Sequence, residues 1–185
     1  MSPTVPGNDR DCGTCSLCCK LVGIEALDKP VGQWCPHAKP GRGCAIYDRR
    51  PLECRDFSCL WLENDRLGEE WRPSRSKIVL YRIDDGRRLV AHLDTGSPGA
   101  WRQEPYYSQL KAWARGMASG GPQVVVRIGD RIIAILPNSD VDLGPLSAGD
   151  IVFIGAVMTP AGPDYVARKL TAAEVAAAHP GGPLD

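Results

Sequence analysis

All eight cysteines of this 185-residue chain, Cys12, Cys15, Cys18, Cys19, Cys35, Cys44, Cys54 and Cys59, lie in its first third, and none follows. A stretch so dense in thiols is built around its sulfur. Its apolar residues are few, mainly Leu21, Val22, Ile24 and Leu27, while glycine and proline recur from Gly13 to Pro51. Such a segment cannot bury enough surface to fold by packing alone, and it needs cross-links or metal.

Three chemistries suit these thiols. An even number of cysteines permits disulfides. Against them stand the adjacent pair Cys18-Cys19, which would need two divergent bridges, and a start, MSPTVPGNDR, without the pattern of a secretory signal. The short spacing Cys12-x-x-Cys15-x-x-Cys18 suits zinc, whose tetrahedral thiolate sites use such loops. It equally suits an iron–sulfur cluster, held by a C-x-x-C-x-x-C run and a distant fourth cysteine. Ligand type alone does not separate these two metals. Eight thiolates suffice for two four-ligand sites, and neighbouring Lys20, Arg42, Arg49, Arg50 and Arg55 offer compensating charge. His37, two residues after Cys35, reads as a loop histidine beside a saturated ligand set.

The run CGTCSLCC, Cys12 to Cys19, resembles the C-x-x-C-x-x-C-C signature of the YkgJ-like cysteine-cluster family. The block from Cys44 to Cys59, CAIYDRRPLECRDFSC, resembles the same family's second motif, and Cys35-Pro36 resembles the cysteine between the two blocks. The resemblance covers about residues 12–62. It implies a zinc- or iron-chelating segment with all eight cysteines as metal ligands. A flagellin lysine-methylating enzyme carries a similar cluster, so the resemblance leaves an enzymatic role open. Around the sulfurs, Arg50 and Arg55 are expected to neutralise charge, Tyr47 and Phe57 to exclude water, and Pro51 to fix the ligand loop.

Beyond the cysteines the pattern changes. Runs Lys77–Ile83 and Arg88–Asp94 flank Asp85-Gly86, and runs Gln123–Ile128 and Arg131–Leu136 flank Gly129-Asp130; both read as hairpins. Ile151–Met158 and Tyr165–Leu170, around Pro-Ala-Gly-Pro, make a third. Pro105–Met117 sets Tyr106, Leu110, Trp113 and Met117 on one helical face. Thr171 and Glu174 form a capping box before a final alanine-rich helix. The expectation is an α+β fold. A flexible tail spans 1–11 and a metal-chelating segment 12–62. That irregular segment packs on a small antiparallel-sheet domain, 75–178, with one or two helices, and Trp61 and Trp71 join the halves.

Other signals are weaker. The 22 Lys+Arg balance the 22 Asp+Glu, which argues against a nucleic-acid partner. No run of eighteen apolar residues is present, so no membrane partner is expected and the chain reads as cytoplasmic. Asp94-Thr95-Gly96 resembles the turn of an aspartic protease, but that chemistry needs two such carboxylates, and the triplet reads better as a polar turn. His92 on a strand reads as structural, and His179 as solvated. The leading expectation is therefore a metal-binding protein holding zinc or an iron–sulfur cluster. The alternatives are an iron–sulfur redox or protein- or peptide-modifying enzyme, or a structural zinc module for protein–protein contact.

Overall fold

A computed structural model describes residues 10–160 and 162–178. Most of the expected tail, His179 and Ala161 of the third turn lie outside the described residues. Arg10, placed in that tail, is anchored. Its guanidinium donates to the carbonyls of Trp61 at 2.7 Å, Asn64 at 2.9 Å and Leu67 at 2.6 Å.

The cysteine segment is a chain of single turns. It comprises α1 (Cys18–Leu21), a two-residue ladder of β1 (Ala38–Lys39) with β2 (Gly43–Cys44), α2 (Leu52–Asp56) and α3 (Leu60–Glu63). None of these helices is long enough to stand alone in water. Leu17, Leu21, Leu60 and Trp61 are the residues that attach the segment to the central core. Trp71 follows α3 and stacks between Tyr106, 5.0 Å away, and Trp113, 5.2 Å away. The helix α4 (Pro73–Ser76) then leads into the sheet.

The sheet has five strands in sequence order: β3 (Ile78–Ile83), β4 (Arg88–Leu93), β5 (Gln123–Ile128), β6 (Arg131–Ile135) and β7 (Asp140–Pro145). Both expected hairpins form, with Ile83 opposite Arg88 and Ile128 opposite Arg131. The expectation of a purely antiparallel sheet is corrected: β4 and β5 run parallel. A parallel pair needs a long crossover, and α5 (Tyr106–Arg115) supplies it. The fold is α+β, with a mixed sheet.

Strand β7 was not expected. Its sequence, DVDLGP, carries two aspartates and ends on proline, the composition of an edge strand. Buried Lys111 of α5 secures its start, donating to Asp140 at 3.2 Å. The third hairpin, β8 (Ile151–Thr159) with β9 (Gly162–Leu170), is a separate ribbon. Its Val152 and Ile154 pack on Val90 and Val125 of the sheet. The last helix, α6 (Ala172–Ala178), carries the expected capping box: Thr171 N–H donates to Glu174 at 2.7 Å, and Glu174 N–H donates to Thr171 Oγ1 at 3.3 Å.

Side chains alternate across the sheet. Register therefore puts Leu80, Ala91 and Val126 on one face. They share a core with Leu110 and Ala114 of α5. The opposite face carries Val79, Tyr81, His92 and Arg127, and it is there that the cysteine segment comes to lie against the sheet.

Candidate functional site

All eight cysteines line one cavity of about 90 Å³ in the N-terminal segment. Local backbone structure puts each of them there. Cys15 N–H bonds the Cys12 carbonyl at 2.7 Å, closing the first C-x-x-C turn. Cys18 and Cys19 open α1. Cys35 N–H bonds the Cys19 carbonyl at 2.9 Å, and the short ladder pairs Cys44 with Ala38. Cys54 projects from α2, and Cys59 precedes α3.

Two glycines allow the loops to meet. Gly43, at φ +91°, sits so close to Gly13 that a Cβ there would stand 2.7 Å from the Gly13 carbonyl oxygen. Neither the backbone angle nor the space admits a side chain. This contact clamps the Cys12–Cys15 turn against the loop that bears Cys44.

The cysteines fall into two overlapping sets of electrostatic neighbours, which meet where Cys19 bears on both Cys12 and Cys18. Burial pushes the Cys59 thiol up to about 11, and the nearby charges of Cys12 and Cys15 push the same way. Burial also raises Cys54, where the neighbours are Cys19, Cys35 and Cys44. The vicinal pair joins the sets. The side-chain interaction between the adjacent sulfurs raises the Cys18 thiol and holds Cys19 at about 7. None of the eight is disulfide-bonded.

The cations around the cavity differ partly from those expected. Arg50 lines it, bears on Cys12, Cys19 and Cys54, and is held by Tyr47. Its guanidinium lies 3.7 Å from the Tyr47 ring centre, and its Nε donates to the Tyr47 carbonyl at 2.8 Å. Tyr47 and Phe57 both line the cavity as expected. Arg55 does not; it is exposed on the outer side of α2, because a short helix that turns Cys54 inward turns its neighbour outward. Lys29 was missed. It is buried, donates to the Lys20 carbonyl at 2.8 Å and to the Val22 carbonyl, and bears on Cys19, Cys35, Cys18 and Cys54. A lysine between Asp28 and Pro30 carries no spacing signal, so its burial was not legible. His37 lies outside the cavity lining, in keeping with a loop histidine.

The donor chemistry fits a thiophilic metal: eight thiols and one cation, Arg50, on an otherwise largely apolar lining, with Lys29 buried nearby. The arrangement is not closed. Among the described residues no group of three or more His, Cys, Asp or Glu side chains is placed to hold a metal ion. The sulfurs share a space rather than a common point.

Asp94 lies at the start of the polar turn after β4. Its carboxylate accepts from Lys20 Nζ at 2.6 Å and from Gly96 N–H at 3.0 Å. No described helix is long and apolar enough to cross a membrane. No protein family, no curated protein and no solved structure matches this chain.

Proposed function

We propose that residues 12–62 chelate a thiophilic metal, zinc or an iron–sulfur cluster, in a cytoplasmic protein. The single observation that carries this reading is the convergence of all eight cysteines on one cavity of about 90 Å³. The resemblance of residues 12–59 to the YkgJ-like pattern supports it from the sequence side. The neighbour sets suggest a division of labour, with Cys12, Cys15, Cys18 and Cys59 around one centre and Cys19, Cys35, Cys44 and Cys54 around the other. Adjacent Cys18 and Cys19 then serve different centres.

Four thiolates around one Zn²⁺ leave an excess negative charge of about two. Lys29 and Arg50 stand where they offset it. The metal would also contribute folding energy that the segment's sparse core lacks.

Protein purified without oxygen tests this reading by elemental analysis and an absorption spectrum. Zinc with no visible bands, or iron with sulfide-to-iron absorption, supports it. Less than one equivalent of either metal per chain overturns it. The second reading, a redox or peptide-modifying enzyme, is favoured by the crevice that abuts the cavity. A colourless zinc protein would remove that reading.

A further inference from the structure

A second concavity, of about 380 Å³, opens where the cysteine segment meets the sheet. One wall is the link between α2 and α3, with Phe57 and Ser58. The other is the polar part of the sheet face, with Tyr81, His92 and Arg127. We propose that this crevice binds a small anion, a carboxylate or a phosphate group, on Arg127, with the buried His92 ring directly behind it.

Three observations carry the proposal. His92 is 2% exposed, yet its Nε2 is a buried polar atom without a hydrogen-bond partner. A buried polar group left without a partner is destabilising, so it calls for an explanation. Tyr81 Oη lies 3.3 Å from His92 Nδ1. With the tyrosine as donor there, the ring proton sits on Nε2, which becomes a donor awaiting an acceptor.

Arg127 supplies the charge. It faces His92 across the β4–β5 pair. Its Nε is used by the Gly129 carbonyl at 2.9 Å, and among the described residues it forms no ion pair with a carboxylate. A half-buried guanidinium beside a neutral imidazole donor, in a crevice, matches the forked geometry of a carboxylate or phosphate. Asp56 and Glu63 line the crevice on the other wall. They disfavour an anion large enough to reach them, which limits the ligand to one small charged group at the sheet side.

This site stands apart from the metal reading and does not require it. The full chain is titrated at pH 7 with inorganic phosphate, acetate and succinate, following the ring nitrogens of His92 by proton–nitrogen NMR. A saturable shift is expected with at least one of them. Phosphate alone identifies a phosphorylated ligand, and the carboxylates alone identify a carboxylate. Arg127→Gln should weaken binding about tenfold or more. Arg127→Lys, which keeps the charge and the fold, should weaken it less. No saturable shift with any probe overturns the proposal, as does wild-type affinity in Arg127→Lys and Arg127→Gln together. A response that survives Arg127→Gln and disappears in Cys54→Ser belongs to the sulfur cavity, and overturns it as well.

Discussion

Lys20 Nζ and the Asp94 carboxylate stand 2.6 Å apart, joining the first helical turn of the cysteine segment to the end of strand β4. Both side chains are about one-fifth exposed. Burial pushes the Asp94 carboxyl up, but the Lys20 hydrogen bond, the Gly96 N–H and the Lys20 charge outweigh it and hold it below the usual carboxylate range. A carboxylate held low contributes stability above its unfolded pKa and loses it as pH falls through the folded value. Asp94→Asn should therefore cost about 1–2 kcal/mol near neutrality in urea denaturation and flatten the acid limb of the stability profile. An unchanged acid limb would show the pair to be idle.

His92 gives a second pH dependence. Burial, with the charges of Arg127 and Lys29, depresses its pKa to about 4, against an ordinary 6.5. Tyr81 and Arg127 are the polar groups that face it, from β3 and β5. The folded state keeps the ring neutral while the unfolded chain takes a proton. Stability from this group is complete above pH 6.5 and falls by about 3 kcal/mol as pH drops to 4. His92→Gln should remove that slope, which chemical denaturation from pH 7 to pH 4 can measure.

Gly43→Ala tests the clamp between the cysteine loops. A methyl group would meet the Gly13 carbonyl at 2.7 Å and force an L-residue to φ +91°. The expected cost is about 1–3 kcal/mol. It should fall on the cysteine segment, read as faster proteolysis there and faster thiol labelling. Gly41→Ala, at φ +72° but with nothing within 4 Å, keeps only the backbone strain and should raise cysteine labelling less than Gly43→Ala does.

Lys29→Met removes the buried cation beside Cys19, Cys35, Cys18 and Cys54. If the cavity holds thiolate-bound metal, the variant should lose it to chelator faster than the parent, while Arg55→Gln should not. Equal loss rates in Lys29→Met and the parent would place the charge compensation elsewhere, with Arg50 the remaining cation on the lining.

The two hairpins, α5 and the capping box were legible because each rests on a local rule: a turn dipeptide, a 3.6-residue period, a T-x-x-E pair. Strand β7 was not, because an edge strand needs few apolar residues, and DVDLGP has two. The parallel β4–β5 pair was hidden for another reason. Which strands become neighbours is decided by the crossover through α5, not by either strand's own sequence. At the site, spacing pointed to the cysteines, nearness in sequence to Arg50, and the family resemblance to Tyr47 and Phe57. They missed Lys29, whose place depends on folded contacts, and overread Arg55, whose neighbour Cys54 faces in. The crevice at His92 and Arg127 joins residues from three separate elements, and no linear motif encodes it.

The Lys20–Asp94 ion pair also joins residues made at well-separated times in synthesis. Asp94 follows Lys20 by 74 residues. At about 5–20 residues per second, a ribosome needs roughly 4–15 seconds to cover that distance. The last cysteine, Cys59, still precedes Asp94 by 35 residues, about 2–7 seconds at the same rate. All eight thiols therefore meet the solvent before the end of strand β4, on which the segment rests, has been made.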